Sequence, residues 1–95
     1  MMYYVGDKPR LTVTFTSGGV PVDPDALTVK VRNPANEVTT YVYGVDAEVV
    51  RDSIGVYHVD VSVDRSGTWR HRWEGTGSNQ AAGESSFEVE DSYFD

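Results

Sequence analysis

Ninety-five residues are enough for one domain, and the chain carries no cysteine, which excludes disulfide staples, thiolate metal sites and a cysteine nucleophile. Fifteen acids against eight bases leave a net charge of −7, which repels phosphate backbones and acidic lipid surfaces and so argues against nucleic-acid and membrane partners. With 39% hydrophobic and 12% aromatic residues there is material for a single core held by packing alone, in a domain small enough to bury only about 60–65% of its unfolded surface.

The opening residues, Met1 to Asp7, hold no basic stretch and no apolar run. They predict neither a signal peptide nor a membrane helix, and a chain made in a cytoplasm. Residues 1–9 read as an N-terminal arm or edge strand. Beyond them, turn residues recur at short intervals: Lys8-Pro9, Ser17-Gly18-Gly19, Val22-Asp23-Pro24-Asp25, Asn33-Pro34-Ala35-Asn36, Gly44, Ser53-Ile54-Gly55, Ser66-Gly67 and Gly75-Thr76-Gly77. The segments between them are rich in valine, threonine and tyrosine, which suit a pleated, half-buried surface. Strands are predicted at residues 10–16, 27–32, 38–43, 48–51, 56–63, 68–74 and 84–89. The only stretches with any helical character, 47–51 and 79–84, are short.

Alternation assigns the faces. Leu11, Val13 and Phe15 point inward in the first strand, and Leu27, Val29 and Val31 in the second. Tyr57, Val59, Val61 and Val63 oppose His58, Asp60 and Ser62. Trp69, His71 and Trp73 oppose Arg70 and Arg72, and Phe87 and Val89 face inward in the last strand. About seven short strands in two antiparallel sheets, covering residues 10–90, predict an all-β sandwich with a core about 10 Å thick. Trp69 or Trp73, with Tyr57 and Phe15, is expected at its centre. Residues 91–95 read as an acidic, aromatic C-terminal tail.

Candidate chemistry is sparse. His58 and His71 lie on opposite faces of their strands, which argues against a shared metal; one exposed and one partly buried histidine is the expectation. No serine stands in a nucleophile-elbow pattern. Loop acids (Asp23, Asp25, Asp46, Glu48, Asp52, Asp64) are the oxygen ligands calcium takes, but the spacing is not that of an EF-hand and turn capping explains them. Glu74 and Glu84 are the carboxylate pair a glycosidase reading would nominate, on a domain offering little concave surface. Arg70 and Arg72 are expected to form an outer-face polar ladder with Asp60 and His58, or a docking face. One of Tyr41 and Tyr43 must point outward. No cofactor, metal or catalytic residue is expected.

Asp64-Arg65-Ser66-Gly67-Thr68-Trp69 resembles the Asp-x-x-Gly-x-Tyr approach to a late strand of immunoglobulin-like domains, with Trp69 in the tyrosine's place. Tyr4-x-Gly6-Asp7, Leu11-Thr-Val-Thr-Phe15, Pro21-Val22-Asp23-Pro24, Val29-Lys-Val-Arg32-Asn-Pro34, Gly55-Val-Tyr57, Gly67-Thr-Trp69-x-x-Arg72-Trp73-Glu74-Gly75-Thr-Gly77 and Glu84-x-x-Phe87-x-Val89 together resemble small Ig-like proteins encoded among the head and tail genes of tailed bacteriophages and prophages. The resemblance spans nearly the whole chain. It implies an immunoglobulin-like β-sandwich and a non-enzymatic virion structural protein: a capsid decoration, head–tail junction or tail-associated module contacting other virion proteins, and compatible with a homo-oligomer inside the particle. In that setting Tyr3, Tyr4, Tyr93 and Phe94, on flexible ends, are the candidate partner-binding residues. The alternative expectation is a carbohydrate- or host-cell-surface-binding module, which requires at least one surface tryptophan.

Overall fold

The computed structural model describes residues 2–77 and 81–91, and among them it contains strands, turns and no helix. Ten strands follow in chain order: β1 (Met2–Tyr4), β2 (Arg10–Thr14), β3 (Thr16–Ser17), β4 (Val20–Pro21), β5 (Ala26–Arg32), β6 (Val38–Val42), β7 (Val49–Ser53), β8 (Val56–Asp60), β9 (Gly67–Thr76) and β10 (Ala81–Glu90). Five form one sheet in the order β1-β10-β9-β5-β6, three form a second in the order β2-β8-β7, and β3 pairs with β4.

Period-2 patterning explains the layering. In β5, Leu27, Val29 and Val31 are buried while Ala26, Lys30 and Arg32 are exposed. In β9, Trp69, Trp73 and Gly75 are buried with His71 half-buried between them, and Arg70 is exposed on the other face. From the three-stranded sheet come Leu11, Val49, Tyr57 and Val59. These residues join Phe15, Val61, Val63, Phe87 and Val89 in one apolar cluster, so two sheets share a single dry interior in a sandwich-like arrangement. Trp69 stacks on Phe87 at 6.1 Å between ring centroids, and Phe15 meets the edge of Tyr57 at 6.1 Å. Tyr57 and Phe15 are buried there as expected, and both of the alternative indoles, Trp69 and Trp73, are buried with them. Gly75 lets Phe15 and Pro24 lie against the backbone of β9, since a Cβ there would sit 2.9 Å from the Phe15 ring.

Several expected boundaries move for local reasons. The predicted strand at 10–16 divides at Phe15, whose N–H donates to the Gly55 carbonyl (2.8 Å) while its own carbonyl accepts from Val22 (3.0 Å). The chain thereby leaves β8 and enters the small β3–β4 hairpin. The predicted strand at 56–63 keeps its alternation to the end, with Val61 and Val63 buried, but its regular ladder stops at Asp60. Beyond that point Val61 and Val63 donate to the carbonyls of Pro9 (3.0 Å) and Asp7 (3.2 Å). Residues 47–51 turn into β7 rather than forming helix, and residues 81–84 are already β10; 79 and 80 lie outside the described residues. The N-terminal segment forms an edge strand, β1 running parallel to β10 with Met2 opposite Glu88.

Turn chemistry fixes the connections. Asn33 accepts from the backbone N–H groups of Ala35 and Glu37 (both 3.0 Å), and Asp46 accepts from Val42 (2.8 Å).

Candidate interaction surface

Polar constellations lie outside the core, and three of them bear on the sequence candidates. The first is a knot centred on Asp23, in the link between β4 and β5. Its carboxylate accepts from Arg51 Nε (3.2 Å) and a terminal Arg51 nitrogen (2.9 Å), from the Gly55 N–H (2.8 Å) and from the Tyr57 hydroxyl (2.9 Å). The Arg51 guanidinium foremost, then the Gly55 and Tyr57 donors, hold this carboxyl at about 2. Burial, followed by the neighbouring Asp23, pushes the Tyr57 hydroxyl up to about 12. Sequence reading assigned Asp23 to turn capping. The structure makes it a tie between the β4–β5 link and the β7–β8 hairpin, a long-range role with no local signal.

This knot predicts a pH dependence. A carboxyl at about 2 in the fold and 3.8 otherwise binds fewer protons when folded, so its stabilisation is full above about pH 4 and disappears as pH falls toward 2. Asp23→Asn is therefore expected to melt lower than the parent at pH 7 and to lose less on acidification between pH 4 and 2. Parallel melting-temperature profiles for the two proteins would disprove the assignment.

The second constellation is on the outer face of the three-stranded sheet. Arg10 Nε lies 2.9 Å from Asp60, and His58 Nδ1 lies 2.8 Å from both oxygens of Asp52. His58 does occupy the outward face, but the expectation that it is exposed is corrected: it is 7% accessible. β8 is the central strand, so Thr12 and Val50 flank it on both sides and Asp52 caps its ring. The expected ladder of Arg70 and Arg72 with Asp60 and His58 is also corrected, because β8 and β9 belong to different sheets.

The third constellation is the outer face of the five-stranded sheet, where half of the chain's eight bases gather. The register sets Lys30 directly across from Arg72 and Arg32 directly across from Arg70. Like charges so placed repel. Glu74 answers Lys30 (3.1 Å) and Arg72 (2.9 Å), and Glu84 on β10 answers Arg72 again (2.7 Å). Among the described residues Arg32 and Arg70 have no acidic partner. The Arg72 guanidinium and then Lys30 hold the Glu74 carboxyl below its ordinary value, the opposite of the raised carboxyl that a general acid requires. Glu74 and Glu84 are thus brought together through one guanidinium, as members of an ion network. The depression beside them is lined by Thr28, Glu74, Thr76, Ala81 and Ala82 among others.

The remaining sequence candidates scatter. Tyr3 is half-buried, its ring meeting the edge of Phe87 at 5.5 Å, so it contributes to the core instead of hanging on a flexible arm. Tyr4 is exposed. Tyr93 and Phe94 lie outside the described residues. Tyr41 packs against the core, while Tyr43 is exposed but leans on Tyr57 at 5.2 Å. Burial depresses the His71 imidazole's proton affinity; its Nδ1 and the Trp73 indole nitrogen are buried with no hydrogen-bond partner among the described residues. Among the described residues no three of His, Asp and Glu converge as a metal site would require.

No protein-family model, curated protein or solved structure matches this chain.

Proposed function

We propose that this chain is a non-enzymatic structural module of a tailed-bacteriophage particle, an immunoglobulin-like sandwich that works by protein–protein contact at the capsid, the head–tail junction or the tail. The particle assignment is supported by the resemblance carried by Gly67-x-Trp69 and Arg72-Trp73-Glu74-Gly75-Thr-Gly77. Within that run Trp69, Trp73 and Gly75 face the core, and Arg72 and Glu74 are ion-paired on the outer face.

One observation carries the contact reading over the sugar-binding one. Trp69 is 5% and Trp73 2% accessible, so neither indole is available as a platform for stacking a sugar. What the surface offers instead is charged side chains and sheet edges, the features by which protein partners are oriented. Many weak contacts of this kind suffice on a symmetric shell, where repeated copies raise effective concentration.

The test is composition of the particle. Virions purified from a culture carrying the gene should contain the full chain, by mass spectrometry, at a fixed ratio to the major capsid or tail protein. Particles that form normally and lack the chain would overturn the proposal. Acrylamide should quench the intrinsic tryptophan emission of the free chain only weakly; strong quenching of both indoles would restore the sugar-binding reading.

A further inference from the structure

β6 is one edge of the five-stranded sheet, and among the described residues no strand lies beyond it. Its ladder to β5 fixes which way each backbone group points. The Tyr43 N–H donates to the Leu27 carbonyl and the Asn33 N–H to the Glu37 carbonyl (both 3.0 Å). These bonds lie one step beyond each end of the register that pairs Thr28 with Val42 and Arg32 with Val38. Backbone direction alternates along a strand, so Thr39 and Tyr41 also face β5, while Val38, Thr40 and Val42 turn outward. Val42 is satisfied by its own turn: its N–H donates to Asp46 (2.8 Å), and its carbonyl accepts from Val45 (3.1 Å) and Asp46 (2.8 Å). The N–H and C=O groups of Val38 and Thr40 meet no protein partner among the described residues.

Exposed edges are ordinarily blunted by proline, by charged side chains, by a bulge or by extreme shortness. β7, an edge of the other sheet, carries Arg51 and Asp52 and a register shift between Arg51 and Ser53. β6 has none of these devices. Val38-Thr39-Thr40-Tyr41-Val42 is uncharged, free of proline and glycine, and made wholly of strand-favouring residues, the first three of them exposed. Turns within the chain bound it on both sides, so the fold itself sets the bare stretch.

The free groups are self-complementary. In an antiparallel pair, residues of the hydrogen-bonded kind exchange both of their bonds with the residue they face. Setting Val38 against Thr40 of a second copy sets Thr40 against the second copy's Val38, with Thr39 facing its own counterpart on a two-fold axis. Every free group of both strands is then used. Centring the pair on Thr40 instead would set Val38 against the capped Val42. In the favoured register a threonine covers the exposed Val38 on the outer face. On the inner face threonine meets threonine, a favourable cross-strand pair, and Tyr41 comes opposite Glu37, a hydroxyl beside a carboxylate. Neither strand carries a charged residue, so the −7 of each chain is not concentrated at the seam. We propose that two copies of this chain join edge to edge through β6, antiparallel and symmetric about Thr39, so that the five-stranded sheet of one copy continues into that of the other. A charged partner has nothing on β6 to select it, whereas the register that satisfies this edge is the one a second copy of the same strand supplies. The pairing goes beyond the particle reading and stands without it.

The test uses the intact ¹⁵N-labelled chain, followed by sedimentation velocity and amide hydrogen exchange. A seam this short falls below a standard interface, so the dimer is expected to build up between about 20 μM and about 1 mM. Over that range the amides of Val38 and Thr40 should shift and exchange more slowly. Thr39→Lys and Thr39→Glu, both at an exposed position, should each weaken self-association about fivefold or more, because like charges then meet on the axis. An equimolar mixture of the two variants should restore association, because the introduced charges are then opposite. Thr40→Pro removes an outward N–H that the β5 ladder does not use. It should abolish association while the melting temperature stays close to the parent's, because an edge position tolerates proline. A parent chain that stays monomeric across the range would overturn the proposal. So would association that the lysine and glutamate variants leave unchanged, or a mixture that associates no more strongly than either variant alone. None of these measurements involves particles, so this proposal and the particle reading fail separately.

Discussion

Trp73→Ala is expected to destabilise the domain by about 3–5 kcal/mol, the usual cost of truncating a buried large aromatic. A domain of this class has only about 5–15 kcal/mol in total. Trp73 is 2% accessible and sits between Val29 of β5 and Gly83 of β10 in the register. Gly83 supplies no side chain to fill the space an indole leaves. Guanidinium unfolding followed by Trp69 fluorescence would read the loss as a lowered midpoint at unchanged slope. Trp73→Phe should cost less than half as much: it keeps a ring and removes an indole N–H that is buried without a partner among the described residues, a group whose desolvation costs about 1–3 kcal/mol. A loss below about 1 kcal/mol for the alanine variant would mean that the inter-sheet space is not centred on this residue.

Gly55→Ala is the second large effect. Gly55 has φ 75°, a left-handed conformation that costs an L-residue about 1–2 kcal/mol. A Cβ there would also stand 2.6 Å from the Phe15 carbonyl oxygen and 2.9 Å from that of Val22. Neither oxygen can retreat freely, because the Phe15 carbonyl accepts from Val22 and the Phe15 N–H donates back to Gly55. The same glycine's N–H is one of the donors to Asp23, so displacing it loosens the knot that ties the β4–β5 link to the β7–β8 hairpin. A total of roughly 3 kcal/mol is expected from strain and contact together. Gly44→Ala separates the two causes: its φ is 88° with open space around the added carbon, so it should cost only the dihedral share. Equal melting temperatures for the two variants would show that the contact at Gly55 relaxes away.

Alternation by itself determined which residues make the core. A side chain that flips face every residue leaves a period-2 record in the sequence, and Leu27, Val29, Val31, Tyr57, Val59, Trp69 and Trp73 are all interior as that record requires. Turn residues likewise marked most element ends, because Asn33 and Asp46 cap backbone donors only a few positions away. The neighbours of each strand were not legible, since strand order and register depend on contacts far apart in sequence. That is why Arg70 and Arg72 were set beside Asp60 and His58, when the sheets place Lys30, Arg32, Glu74 and Glu84 around them. The same limit hid the burial of His58 on a central strand and the convergence of Arg51, Gly55 and Tyr57 on Asp23. Tertiary structure alone decided that β1 lies parallel beside β10, with Met2 opposite Glu88, because a pairing between segments so far apart in sequence leaves no local signal.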